Sequence, residues 1–432
     1  MEMKHKCSPD NLGKVLILGE GVTGKAVEDY LAKQPNRALT VDVVTEEELA
    51  NSTKSYDLCI ASPGISEFSD FYAKAKKVSR EVISEVEFAY RESEIDSKWI
   101  AITGTNGKTT TTSLTEHILT VAGINAVAVG NIGQTCISQV DGQTKVYVAE
   151  CSSYQLASTS KFEPDACAIL NITPDHIKWH EGLENYRDAK FKIFANLRDN
   201  ADALVFLEHH LKSQIPGIDS FACKVVTDKN SDKVGMVASL AEDMKIKGEH
   251  NIQNAVCAAA LTSFMGVSDS TIKEALLSFS PLEHRIEPCG DMDGVAFYND
   301  SKATNVDSTI KALSAFPQGR VILLLGGTDK GSDLTPLVNE CKRPAGCGSV
   351  VSTVICYGDS KARFLESFNQ LEDEGIPVLE ANKLSDAFAL AVKKASDGDS
   401  VLLSPACASF DEFSGFEERG RRFKQLVEQL NA

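Results

Sequence analysis

The sequence predicts an α/β protein, and three observations carry that prediction. Short apolar strands alternate with amphipathic helices almost from end to end. Two glycine-rich loops each lead from a strand into a helix, and the 432 residues exceed what one core of roughly 100 to 200 residues accommodates. Three domains are expected, at 1–97, 98–283 and 284–432, with mostly parallel sheets covered by helices.

In the first domain, residues 14–18 (KVLIL) read as a strand that runs through GEGVTG (Gly19 to Gly24) into a helix. Strands at Thr40 to Val44 and Leu58 to Ala61 follow, the latter ending at the turn Ser62-Pro63-Gly64. The spacing of Gly19, Gly21 and Gly24, with Asp42 about 20 residues on, has the form of a dinucleotide fingerprint. That pattern alone leaves NAD and other nucleotide-bearing ligands equally open.

The polar stretch Arg91 to Lys98 precedes a fresh strand, Trp99 to Thr103, which opens the second domain. Further strands are expected near Lys145 to Glu150, Ala166 to Leu170 and Ala203 to Leu207, and an apolar helix near Asn251. The boundary to the third domain falls near Pro281 to Glu283. Strands then recur near Val295 to Tyr298, Val321 to Leu325, Val354 to Tyr357 and Val401 to Leu403. The final helix places Phe416, Phe423, Leu426, Val427 and Leu430 on one stripe, so the helix is expected to close the core, with a packing role for the Phe416 ring left open beside a binding one.

Composition narrows the function. A formal charge of −17 argues against a nucleic-acid partner, because phosphate binding carries a basic footprint. No apolar run approaches the roughly 18 residues of a membrane span, and Met1 to Asp10 lacks the hydrophobic segment of a signal peptide, so a cytoplasmic protein without a membrane partner is expected. The twelve cysteines are scattered, with no C-x-x-C pair, and read as reduced and mostly buried thiols.

The segment Ile102-Thr103-Gly104-Thr105-Asn106-Gly107-Lys108-Thr109-Thr110 is the most informative in the chain. A strand enters it and a helix leaves it, so backbone N–H groups and the helix N-terminus can meet a phosphate. Lys108 would reach the β and γ phosphates of ATP and the Thr109 hydroxyl would bind Mg²⁺. The first glycine of the standard loop is replaced by Ile102. Glu150, at a strand end in AECSSYQL, is a natural ligand for a hard cation, whereas His176 in NITPDHIKWH would be an unusual one. Lys190, in YRDAKFKIF, would repel a metal as an ammonium. In GEHNIQNA, the helix start offers His250, Asn251 and Asn254, suited either to adenine and ribose or to capping and packing.

The loop TGTNGKTT resembles the ATP loop of the Mur ligase and folylpolyglutamate synthase superfamily. Together with GNIG (Gly130 to Gly133), ECSSYQL, LNITPDH and the Lys190 segment, it resembles the central domain of the Mur ligases. The resemblance implies that Thr109, Glu150, His176 and Lys190 serve Mg²⁺ or Mn²⁺, with Lys190 carbamylated into an anionic oxygen donor. Gly104 to Thr110, Asn251, Asn254, Arg285 and Asp300 would hold ATP. Lys108, His176, Lys190, Arg285 and Lys302 would serve the chemistry. The first domain would hold the UDP end of a substrate, through Thr23, Ser62, Pro63 and Gly64, with Asn131, Ser152 and His176 beyond it.

The segments LLLGGTDKGSDL and LLSPACASFDEFSGFEERG resemble the Mur ligases that take D-glutamate. Lys330, Thr304, Ser409 and the backbone at Phe416 would then hold its carboxylates, which need cationic and N–H donors. The implied activity is an ATP-dependent amide synthesis from UDP-N-acetylmuramoyl-L-alanine and D-glutamate, by a monomer. Departures are local: Cys151 follows Glu150, and Lys178-Trp179-His180 follows the Asp-His pair. A folylpolyglutamate synthase, a non-catalytic nucleotide-binding scaffold and an NAD oxidoreductase are the other readings.

Overall fold

A computed structural model describes residues 5–34, 36–50, 52–246, 248–316, 320–329, 331–342 and 350–430. The α/β expectation holds, and the strands form three sheets. The first contains β1 (Lys14–Leu18), β2 (Thr40–Val44), β3 (Leu58–Ala61) and β4 (Val82–Ser84), all parallel, in the order β2-β1-β3-β4. The strand order reverses at β1, and the loops after β1 and β3 lie at that switch point, where open α/β sheets place ligands.

The second sheet contains β5 (Lys98–Thr103), β6 (Ala126–Gly130), β7 (Val146–Glu150), β8 (Ala166–Ile169), β9 (Leu204–Leu207) and β10 (Lys224–Thr227). Its order is β10-β9-β8-β5-β7-β6, again all parallel. Every residue of β7 and β8 is buried, as is β5 beyond Lys98, which is what helices on both faces require. The phosphate loop leaves β5 between β7 and β8, at the switch point of this sheet.

The third sheet contains β11 (Glu287–Met292), β12 (Val295–Asn299), β13 (Arg320–Gly326), β14 (Val350–Tyr357), β15 (Val378–Glu380) and β16 (Asp399–Leu403). Its order is β11-β12-β16-β13-β14-β15, parallel except for β11 against β12. The helix Phe416–Leu430 buries Phe423, Leu426 and Val427 against it. Phe416 does not join them, a correction to the five-residue stripe: it starts the helix, half-buried, with its ring under the Lys302 ammonium at 3.7 Å.

By contact, the chain forms two compact units: Met1–Met244 with Ile252–Phe279, and Lys245–Asn251 with Ser280–Ala432. The first unit contains the first two sheets. An aromatic group joins them: Trp99 stacks on Tyr147 at 4.7 Å, and Tyr90 meets Trp99 and Phe162 edge-on at 5.8 and 5.3 Å. Such pairs contribute about 0.5–1.5 kcal/mol each beyond their buried area. Glu85 adds a polar tie, its buried carboxylate accepting from the Ile137 N–H at 2.6 Å. Burial pushes its pKa up to about 7 despite that bond. Among the described residues no helix is long and apolar enough to cross a membrane, and the described cysteines are free and all buried apart from exposed Cys7 and half-buried Cys289.

Candidate active site

The phosphate loop is held open by two glycines. Gly107 caps the helix Lys108–Val121 with φ 85°, and a Cβ there would stand 2.6 Å from Asn254 Oδ1. Gly104 has φ 157°, with Leu170 Cβ 3.1 Å from the position a methyl would take. Asn254 is buried and reaches the loop from the helix Glu249–Phe264, while Asn251 and His250 belong to the second compact unit. His250 is half-buried there and its pKa is lowered to about 4, first by burial of its ring and then by Lys311 and Arg285, which favours the neutral imidazole.

A neighbouring loop clamps this one. Asn171 receives the Asn106 N–H at Oδ1 (2.8 Å), returns its amide to the Asn106 carbonyl (3.0 Å), and accepts the Thr105 N–H at its own carbonyl (2.9 Å). The Thr105 hydroxyl lies 2.9 Å from the Tyr186 hydroxyl and 3.1 Å from the Thr173 carbonyl. Asn171 and Tyr186 are loop-shaping residues that sequence reasoning missed, although Asn171 stands in the quoted LNITPDH. Lys108 Nζ donates to the Gly104 and Thr105 carbonyls at 3.0 and 2.8 Å, folding its charge back over the loop. Thr109 lies half-buried and Thr110 buried beside it.

Lys190 enters from the helix Leu183–Phe191 and is 1% exposed. Its Nζ donates to the Gly104 carbonyl at 2.8 Å and lies 3.3 Å from Thr103 Oγ1, with the Tyr186 ring beneath it at 4.7 Å. Burial first, and repulsion from Lys108 second, hold its pKa well below the ordinary lysine value. Glu150, at the end of β7, is equally buried and its two oxygens differ. One accepts from Asn131 Nδ2 at 2.8 Å; the other is buried without a hydrogen-bond partner. An orphaned carboxylate oxygen is costly unless a cation meets it, so the donor set of Glu150 and the Thr109 hydroxyl fits a hard divalent metal.

His176 stands apart from that pattern. It caps the one-turn helix Ile177–His180 with φ 54°, its Nε2 3.4 Å from Asp175 and its ring 4.9 Å from that of Tyr154. Among the described residues, the close groups of three possible metal ligands are Glu208-His209-His210 and Glu283-His284-Glu287, neither of which includes Glu150 or His176. The unexpected His180 is buried against Ser153 at 2.9 Å and held neutral, its pKa lowered to about 4 by burial and by Lys190. Ser152 uses its hydroxyl in a capping box with Gln155, which commits to the helix a group assigned above to substrate.

At the first sheet, Gly24 packs so closely that a Cβ would lie 2.0 Å from the Gly19 carbonyl, and Thr23 sits half-buried in the turn. Ser62 Oγ is buried without a partner at the head of the turn that Pro63 and Gly64 continue. Asp42 is engaged by Lys54 and Tyr56, both at 2.8 Å, so it does not stand free as a ribose acceptor.

In the second unit, Asp300 is buried, accepting from Ser404 Oγ at 2.7 Å and the Ile286 N–H at 3.3 Å. Burial raises its pKa to about 7, with Ser404 and Arg285 pulling the other way. Both bonds come from residues of the second unit, and they fix the carboxyl expected to serve the nucleotide. Arg285 and Thr304 are half-buried, and Ser409 is buried. Lys330 lies outside the described residues.

The chain matches two family models: the Mur ligase middle domain over residues 102–262 and the Mur ligase glutamate ligase domain over 284–407. A protein of Alkaliphilus metalliredigens named UDP-N-acetylmuramoylalanine–D-glutamate ligase is 35% identical, covering 100% of this chain and 99% of its own length. One of the same name from Koribacter versatilis is 37% identical, covering 96% and 97%. Among solved structures, the UDP-N-acetylmuramate-alanine ligase of Thermotoga maritima superposes with a TM-score of 0.57 at 18% identity, covering 96% of this chain and 99% of that one, a likeness of fold.

Proposed function

The chain belongs to the Mur ligase family, and from that premise we propose that it joins D-glutamate to UDP-N-acetylmuramoyl-L-alanine with the breakdown of ATP to ADP and phosphate. The observation that carries this reading is the end-to-end similarity to proteins of that name. The enzyme would act as a cytoplasmic monomer in peptidoglycan precursor synthesis.

The backbone N–H groups of 104–110 and the Lys108 ammonium receive the phosphates of ATP, Lys108 exchanging its bonds to Gly104 and Thr105 for phosphate oxygens. A divalent cation bound by Glu150 and Thr109 supplies charge to offset the anions that meet there. The L-alanyl carboxylate attacks the γ-phosphorus and ADP leaves, giving an acyl-phosphate. The uncharged amine of D-glutamate attacks that carbonyl, and the tetrahedral intermediate expels phosphate to leave the amide. Arg285 and Lys302 offset negative charge on the transferring group, and Thr304, Lys330, Ser409 and the backbone at Phe416 hold the D-glutamate carboxylates.

Lys190 has the environment that carbamylation needs. Burial lowers its pKa and so favours the neutral amine, which adds to CO₂ with release of a proton, giving an anionic oxygen donor in place of a group that would repel a metal.

The test is phosphate release from ATP, Mg²⁺ and UDP-N-acetylmuramoyl-L-alanine with D-glutamate, L-glutamate or L-lysine in parallel. Release that depends on D-glutamate alone is the expected result. Release with another amino acid would retain the ligase chemistry and overturn the specificity.

A further inference from the structure

Arg419 is fully buried in the first turns of the helix Phe416–Leu430. Its guanidinium spends every donor on two loops. Nε donates to Ser301 Oγ at 2.9 Å; one terminal nitrogen donates to the Cys407 and Ala408 carbonyls at 3.0 and 3.2 Å, the other to the Ser301 and Cys407 carbonyls at 2.7 and 3.1 Å. Ser301 in turn donates its hydroxyl to the Phe416 carbonyl at 2.8 Å. The loop after β13 joins the group: Thr328 and Ala408 exchange both backbone hydrogen bonds, at 2.9 and 3.1 Å, and a methyl on Gly327 would stand 3.1 Å from the guanidinium.

Three loop segments and a helix start, far apart in sequence, therefore close on one side chain. They carry Lys302, Thr304, Ser409 and Phe416. Among the described residues no carboxylate lies within ion-pair distance of Arg419. Its donors all go to carbonyl and hydroxyl oxygens, and its charge also acts on the buried carboxyl of Asp300, beside Ser301.

We propose that Arg419 is the positioning residue of the amino-acid subsite: it locks the loops after β12 and β16 to the start of the last helix and adds its permanent positive charge to these loops, which meet an incoming dicarboxylate. This rests on the reading of that subsite given above. Only a guanidinium does both, because an ammonium in its place keeps the charge and loses the fork that ties Ser301 to Cys407 and Ala408.

The experiment is steady-state kinetics of Arg419→Lys, Arg419→Met and Ser301→Ala in the full chain, varying each substrate in turn. Circular dichroism and thermal midpoints would check that each variant folds. The expected result is a KM for D-glutamate raised roughly 10-fold in Arg419→Lys, more in Arg419→Met and less in Ser301→Ala, with KM for ATP changed less than about two-fold. Ethylguanidinium added to Arg419→Ala should restore part of the D-glutamate affinity. Equal rises in every KM, or a loss confined to kcat, would reduce Arg419 to a packing residue and overturn the proposal. If Arg419 variants do not fold, an unchanged KM for D-glutamate in Ser301→Ala overturns it on its own. Wild-type protein without D-glutamate-dependent release would instead sink the functional reading itself.

Discussion

Two buried cations do opposite work in this molecule. Lys190 and Arg419 are both sealed from solvent, and both donate to backbone carbonyls at the ends of parallel strands. The lysine answers burial with a pKa pushed well below the ordinary range, which favours the neutral amine. A guanidinium cannot take that route, so Arg419 keeps its charge and spreads it over five hydrogen bonds. Burial makes one side chain reactive and the other a permanent brace.

The sharpest way to break that contrast is to exchange the two chemistries. Lys190→Ala should lower turnover on the order of 100-fold, the upper range for loss of a group that supports a metal, with partial recovery in millimolar acetate or formate. Lys190→Arg, which can neither deprotonate nor add CO₂, should be as slow and show no recovery; rescue of the arginine variant would refute the carbamate. Glu150→Gln comes next. It keeps an oxygen for Asn131 and removes the orphaned charge, so the Mg²⁺ concentration for half-maximal rate should rise roughly 10- to 100-fold while the fold stays intact.

A smaller effect is expected from Gly107→Ala. Its methyl meets Asn254 at 2.6 Å in a left-handed backbone, which costs about 1–3 kcal/mol and should appear as a lower thermal midpoint with a raised KM for ATP. An unaltered midpoint would show that the loop relaxes freely.

The smallest effect tests a buried acid in place of a buried base. Glu85 has a folded pKa near 7 against an ordinary 4.5. Below pH 4.5 both folded and unfolded forms are protonated. Between 4.5 and 7 the unfolded chain ionises first, so stability falls as pH rises through that window and levels above it. Glu85→Gln should remove this slope and raise the thermal midpoint at pH 7.5 by roughly 2–4 °C, with little change at pH 4.5. A slope that persists in the variant would assign it to other groups, Asp300 foremost.

The same contrast explains what the sequence disclosed. Lys190 was legible only through resemblance, because its segment YRDAKFKIF and the loop it meets are short contiguous signatures that can be matched to a family. Arg419 was not, because its partners are carbonyls of loops after β12 and β16, and carbonyls have no residue identity. One signal was present: Arg419 precedes Phe423 by four residues and Leu426 by seven, which places it on the buried stripe of the last helix. The polar string FEERGRR concealed that.

Core strands such as β5, β7 and β8 were evident as apolar runs. The edge strands β4, β10, β11 and β15 were not. β4 and β15 have three residues each, and β11 carries proline and glycine with a register shift between Pro288 and Gly290, which erases the alternation. Asp42 matched a spacing, but its geometry lay with Lys54 and Tyr56, two residues no spacing rule consults. The similarity of the last segments to D-glutamate enzymes was readable only as pattern, whereas their convergence required three dimensions.

The divided carboxylate of Glu150 has a thermodynamic consequence. One oxygen is fixed to Asn131 in the loop after β6 and the other is left for a cation, so the two occupants share a single rigid group. Any ligand that tightens the Asn131 loop then alters the free energy of cation binding, and reciprocity requires the cation to alter that ligand's affinity by the same factor. Measured in both directions, the two coupling free energies must coincide, and Asn131→Ala should reduce both together.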